Sequence, residues 1–178
     1  PRFLLGMTAT PERTDGADIF SYFDHNIAYE IRLQRALEEK MLCPFHYFGV
    51  TDLTVNGEVI GEYAEFNRLT ASERVSRILE KTEFYGCHDG ILRGLVFCSR
   101  VDEAQALSAE FNRRGYRTLA LDGSTNEEVR EQSIRRLEAD RNAQDKLDYL
   151  FTVDILNEGV NIPQCNQVVM PRPTTSAT

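Results

Sequence analysis

From residue 71 to residue 170 the sequence alternates between amphipathic helical patterns and short apolar runs, and this constrains the fold more than any other feature. Ala71 to Phe84 sets Val75, Ile78 and Leu79 among charged residues at helical spacing. Leu95 to Cys98 is a brief apolar run, the pattern of a strand covered on both faces. A helix is predicted from Asp102 to Arg114, with Ala104, Leu107 and Phe111 on one side and Gly115 as its stop. Thr118 to Leu121 reads as a strand, Glu127 to Ala139 as a helix carrying Ile134 and Leu137, and Tyr149 to Val153 and Asn166 to Met170 as two further strands. Strands and helices joined by short linkers form right-handed crossovers, so the expected fold is α/β, a mainly parallel sheet with helices on both faces. In such a sheet ligands collect beyond the carboxyl ends of the strands. The loops to watch are therefore 99–102, 122–125 and 154–163.

The first seventy residues are less regular. Phe3 to Met7 has the look of a short buried strand, ended by Thr8-Ala9-Thr10-Pro11. Asp18 to Phe23 is read as a short helix, Tyr29 to Leu33 as a short strand, Gln34 to Lys40 as a helix bearing Leu37, and Pro44 to Val50 as a strand of alternating aromatic and small groups. Asn56-Gly57 is a turn signal.

The balance of 20 basic against 28 acidic residues, a net charge of -8, opposes phosphate binding through bulk electrostatics, so any nucleic-acid contact must be local. With 42% apolar residues in 178, the chain can bury a sizeable core, yet no apolar run reaches the length of a membrane span. The start has no secretory signal, and the cysteines Cys43, Cys87, Cys98 and Cys165 form no C-x-x-C pair, which fits a reduced, cytoplasmic chain without a metal site. Cys98, inside an apolar run, reads as core.

Four of the loops, in order, carry a family resemblance. Thr8-Ala9-Thr10-Pro11 resembles the coupling motif that closes the first RecA-like domain of superfamily 2 helicases. Leu95-Val96-Phe97-Cys98-Ser99-Arg100 is similar to the motif that opens the second domain, and Leu121-Asp122-Gly123-Ser124-Thr125 with Arg130 to the loop and helix that follow. Residues 154–163 resemble the fifth motif, which faces both nucleotide and nucleic acid. Asn157-Glu158-Gly159-Val160 and Arg172-Pro173-Thr174-Thr175-Ser176 look closest to the DExH helicases related to type III restriction subunits and DNA-repair motors.

The resemblance implies a RecA-like fold of the P-loop NTPase type. Residues 1–12 would be the end of the first RecA-like domain, 13–44 a connector, and 45–178 the second domain, cut before its sixth motif. With Pro1 in place of an initiator Met, the chain is expected to be a fragment. ATP and Mg²⁺ are the implied cofactors of the whole protein, held largely by a first domain, since no G-x-x-x-x-G-K-[ST] and no D-E-x-[DH] sequence occurs here. The fragment alone is expected to be inactive and to hold no cofactor tightly.

Within it, the resemblance assigns Glu158, Gly159 and Asn161 to nucleotide, with Asn161 standing where many relatives carry Asp. Ser99, Arg100, Gly123, Ser124, Thr125, Arg130 and Thr152 are assigned to the strand backbone, Thr152 because Val153 occupies the position of a phosphate-binding threonine. Plain structural roles stand beside several of these. Gly159 could be a turn glycine, Arg100 a partner of Asp102, and Arg130 part of an ion-paired helix face with Glu127, Glu128 and Glu131. Asp102 with Gln105 resembles a capping box, and Arg113, Arg114 and Arg117 suit a helix carboxyl terminus. The function expected is an ATP-dependent helicase or translocase, with DNA as its track ahead of RNA, an upstream RecA-like domain and a nuclease or repair protein as partners, and no membrane. The alternative is a degenerate, non-catalytic scaffold of the same fold that binds protein partners.

Overall fold

The computed structural model describes residues 4–8, 11, 16, 18–49, 53–55, 58–60, 71–156 and 160–171. Their contacts divide the chain at Val50 and Thr51 into two compact units.

In the first unit a 3₁₀ turn, Ile19–Phe23, is capped by Asp18, whose Oδ1 accepts from the Phe20 N–H at 2.9 Å. Helix α1, Leu33–Glu38, buries Ala36 and ends where Lys40 turns left-handed at φ 58° and the Met41 N–H reaches the Ala36 carbonyl. Three expected strands are absent among the described residues here. Residues 4–7 and 44–49 are irregular, with Leu5, Met7, Phe45 and Tyr47 exposed, and 29–32 are irregular up to the start of α1 at Leu33. An apolar run becomes a strand only when a neighbour completes its ladder, and none does so among the described residues of this unit.

In the second unit β1 (Leu53–Val55) and β2 (Glu58–Ile60) form an antiparallel hairpin, and Val55 pairs with Glu58 so that two residues connect them. Those two are the expected turn residues Asn56 and Gly57, which lie outside the described residues. Then follow α2 (Ala71–Tyr85), β3 (Gly94–Phe97), α3 (Val101–Arg113), β4 (Thr118–Leu121), α4 (Glu127–Glu138), β5 (Tyr149–Thr152) and β6 (Gln167–Val169). The last four strands make one parallel sheet in the order β4-β5-β3-β6.

Because successive side chains of a strand point to opposite faces, two cores form. Val96, Tyr149 and Phe151 meet Val75, Ile78 and Leu79 of α2 and Ala104, Leu107 and Phe111 of α3. On the other face Leu95, Leu121 and Leu150 meet Leu137 of α4 and Leu147. Helix α3 closes as its periodicity predicts. Gly115, at φ 92°, lets the Gly115 N–H reach the Asn112 carbonyl and the Tyr116 N–H the Phe111 carbonyl, while the Tyr116 ring packs on Phe111. Asn112 also pairs with the main chain of Thr118 at 2.8 and 3.3 Å, covering the start of edge strand β4.

The amino ends of the strands are tied by polar side chains that no motif announces. Lys146 lies in the charged stretch 140–148, which carries no motif, yet it is buried. Its Nζ donates to the carbonyls of Leu92 and Leu147 at 2.7 and 2.8 Å, and burial pulls its pKa down. Arg93, also buried, donates to Asp89 at 2.8 Å. That guanidinium, with the Ile91 N–H, holds the Asp89 carboxyl at about 2, below its ordinary 3.8. A folded-state value depressed in this way stabilises the protein above the unfolded pKa and is lost as pH falls from about 4 to about 2. Asp89→Asn is therefore expected to lower Tm at neutral pH and to leave it level with wild type at pH 2. Thermal unfolding of both proteins as a function of pH checks this, and a Tm difference that stays constant with pH would disprove the linkage.

Candidate nucleic-acid and nucleotide interface

The strand order locates the site. Passing from β3 to β4 the chain crosses two positions over the face that α3 covers, and passing from β4 to β5 it returns over the face that α4 covers. The connection from β5 to β6 continues on the α4 face, where Ile155, Leu156, Ile162 and Cys165 pack. The loops leaving the adjacent strands β3 and β5 thus turn to opposite faces, and the crevice between them is the switch point at which open α/β sheets bind ligands.

After β3, the Cys98 N–H donates to the Thr152 carbonyl at 2.9 Å, and the Ser99 N–H to Glu103 Oε2 at 3.0 Å. Arg100 is the residue at which α3 begins, with no side-chain cap bond. Its Nε and Nη2 grip Asp102 at 2.9 and 2.7 Å, a pair 70% exposed on each side, and these bonds hold the Asp102 carboxyl below the usual range. The expected capping box of Asp102 and Gln105 is displaced. The helix starts earlier, so its third position is Glu103, and that carboxylate takes the Ser99 N–H. Glu103 also accepts from Arg74 Nη1 of α2 at 2.6 Å. Neither Glu103 nor Arg74 was singled out by sequence. The signal was an acid three residues after Arg100, one place beyond the acid that was chosen.

After β4, Asp122 organises a tight turn. Its Oδ1 accepts from the Ser124 N–H and hydroxyl at 2.8 and 2.5 Å, which keep its pKa low, and its own N–H donates to Thr125 Oγ1 at 3.0 Å. Gly123 and Ser124 are exposed. Asn126 caps α4 by accepting from the Val129 N–H at 2.9 Å. Arg130 Nε donates to the Thr125 carbonyl at 2.8 Å, so this guanidinium braces the turn, and the expected pairing with Glu127, Glu128 or Glu131 is not what orients it.

After β5, Thr152 is wholly buried and its hydroxyl donates to the Ile155 carbonyl at 2.5 Å. Its assignment to the strand backbone is corrected on that account, since the side chain faces inward and its hydrogen is used. The turn it supports bends sharply, with Asp154 at φ 52° and Leu156 at φ 63°; the latter is costly for a bulky side chain and such strain gathers at functional loops. Asp154, Leu156 and Val160 face Arg130, Glu127 and Glu131 across an open cleft of about 600 Å³.

Asn161 is exposed in this loop. Glu158 and Gly159 lie outside the described residues, as do Ala9 and Thr10; Thr8 is exposed in the first unit. Among the described residues no group of three or more His, Cys, Asp or Glu side chains is placed to hold a metal ion, and no helix is long and apolar enough to cross a membrane.

Comparison with known proteins shows the family. Residues 73–178 match the family described as helicase conserved C-terminal domain. The chain belongs to that family. The helicase C-terminal domain so defined contains α2 from Glu73 onward and every strand of the parallel sheet, an α/β architecture. The chain is 25% identical over 180 residues to a "51.5 kDa protein" of a Lactococcus phage, matching 97% of this chain and 37% of that one. It is 26% identical over 115 residues to a probable ATP-dependent RNA helicase of Methanocaldococcus jannaschii, matching 65% of this chain and 28% of that one. It thus spans about a third of the length of the curated relatives it matches. Among solved structures it is similar to domain 2 of the DEAD-box helicase Mss116p bound to an RNA duplex, at 17% identity and a TM-score of 0.42, over 61% of this chain and 39% of that one.

Proposed function

We propose that the chain is the second motor domain of an ATP-dependent nucleic-acid helicase or translocase, with DNA as its track. The observation that carries this reading is the crevice between β3 and β5 in a helicase C-terminal domain. The turn sets Gly123 and Ser124 at the surface with Thr125 half-buried beside them, and Arg100 sits at the rim of the first loop. An exposed Arg–Asp pair contributes little by itself, so a phosphate can take the place of Asp102 at small cost. Such contacts hold a sugar-phosphate backbone in register without reading bases. DNA is preferred because Asn157-Glu158-Gly159-Val160 and residues 172–176 resemble restriction and repair motors.

In this proposal residues 1–12 end a first RecA-like domain, 13–44 connect, and 45–178 form the second. ATP with Mg²⁺ supplies the energy for cleft closure when bound, and this chain's part is to hold ribose through Asn161, Glu158 and Gly159. A nuclease or repair protein is the proposed partner, in the cytoplasm. The scaffold reading has its own support, in the net charge of -8 and in the carboxylates of Glu127, Glu131 and Asp154 around the single guanidinium of Arg130 in the cleft.

The test is ATP turnover with no polymer, single-stranded DNA, duplex DNA or RNA, by this chain and by a longer protein in which it is joined to a phosphate-loop domain. Stimulation of the longer protein by DNA, with this chain inert, is the expected result. Stimulation by RNA alone changes the track, as the name of the archaeal relative would have it. No stimulation favours the scaffold, and turnover by this chain alone overturns the split site.

A further inference from the structure

We infer that Glu103 and Arg74 are positioning residues for the strand contact of the loop after β3; this rests on the reading just given. Only Cys98, Ser99 and Arg100 separate β3 from α3, and the amides of Cys98 and Ser99 are held from outside the loop. The Cys98 N–H is fixed by Thr152 of the neighbouring strand. The Ser99 N–H is fixed by Glu103, whose other oxygen is held by Arg74. Glu103 is 6% exposed and the Arg74 side chain 14%.

A helix start does not need this arrangement. A Ser, Thr or Asp at position 100 would satisfy the first amides of α3 from the surface, without taking two charges out of water. Burial of an ion pair is poor evidence for stability, and its better-attested use is to specify one geometry. Here the capping carboxylate comes from inside the helix, and position 100 carries a guanidinium that projects at the surface towards Asp102. The pair therefore sets the main-chain path from which Ser99 and Arg100 present themselves. Because Arg74 belongs to α2, it also ties that path to the helix preceding β3.

The experiment is the affinity of this chain for a fluorescently labelled single-stranded DNA oligonucleotide at low salt, with circular dichroism confirming that each variant is folded. Arg100→Ala reports the strand contact itself. Glu103→Gln keeps the shape and removes the charge, and is expected to weaken binding roughly tenfold, in line with a lost charge-assisted bond. In the Arg100→Ala background the same change is expected to cost less than about twofold more, because its effect passes through the loop. Tyr149→Phe, which loses a buried hydrogen bond to Gln167 at the far end of the sheet, serves as the stability control and is expected to bind as wild type.

Should Glu103→Gln fail to fold, Arg74→Gln with Glu103→Gln leaves neither side of this pair charged and carries the same comparison. Unchanged binding by the Glu103 variant beside weakened binding by Arg100→Ala overturns the positioning role and leaves the strand reading intact. Additive losses, or an equal loss in Tyr149→Phe, also overturn it. If Arg100→Ala binds as wild type, or the wild type does not bind, the strand reading and this inference fall together.

Discussion

Phe111→Ala is expected to lower the unfolding free energy by roughly 3–5 kcal/mol and Tm by about 10 °C. Phe111 is wholly buried at the centre of an aromatic group, with edge-on contacts to Tyr149 at 5.2 Å and Phe151 at 5.1 Å and a tilted one to Tyr116 at 5.6 Å between ring centroids. Removing the ring leaves a cavity bounded by three further rings anchored in β5 and in the turn after α3, so collapse around it is restricted. Tyr116 also completes the helix stop at Gly115, so the loss reaches the connection to β4. Phe111→Leu, which keeps most of the volume, is expected to cost about 1 kcal/mol. Urea unfolding followed by far-UV circular dichroism measures both, and a loss below about 1 kcal/mol for the alanine variant would show that the helix–sheet face is not centred on this ring.

Gly94→Ala is expected to cost roughly 1–3 kcal/mol or more, for the opposite reason. Gly94 pairs with Tyr149 across β3 and β5, and the Tyr149 ring lies over it. A Cβ at Gly94 would stand 2.2 Å from two ring carbons, inside any permitted contact. The ring cannot swing aside easily, because its hydroxyl donates to Gln167 Oε1 at 2.5 Å, and Gln167 in turn donates to the carbonyls of Thr82 and Gly86 at the end of α2. If the clash is the cause, Tyr149→Leu will reduce the cost of Gly94→Ala by more than half in a double-mutant cycle. Equal costs in the two backgrounds would place the damage in the strand backbone instead.

What was legible in the sequence was local. Val75, Ile78 and Leu79 in α2, and Ala104, Leu107 and Phe111 in α3, announce their buried faces by spacing, and each of them is buried. Thr118–Leu121 and Tyr149–Thr152 are strands where compact apolar runs predict them. The strands expected in the first unit show the limit of that signal. Leu4, Leu5, Phe45 and Tyr47 have the composition of strand residues, yet they lie exposed and irregular. The candidate site was legible as a set of loops, and Ser99, Arg100, Ser124, Thr125 and Arg130 do lie at the carboxyl ends of β3 and β4 or on the helix just beyond. Their partners were not. That Arg130 braces Thr125, that Thr152 turns inward, and that Glu103 takes the place expected for Gln105 depend on side-chain directions that spacing does not carry.

By itself, then, the sequence determined the element types of residues 71–170, the two-faced burial of the sheet, and the loops in which a site could form. Those follow from periodicity and from caps such as Gly115, which are properties of neighbouring residues. The tertiary structure decided the order β4-β5-β3-β6, and with it the crevice between β3 and β5. It also decided the burial of Lys146 against Leu92, and the Arg74–Glu103 pair. Each of these joins residues distant in the chain, and its free energy arises only once the packed helices and paired strands have excluded water from around it.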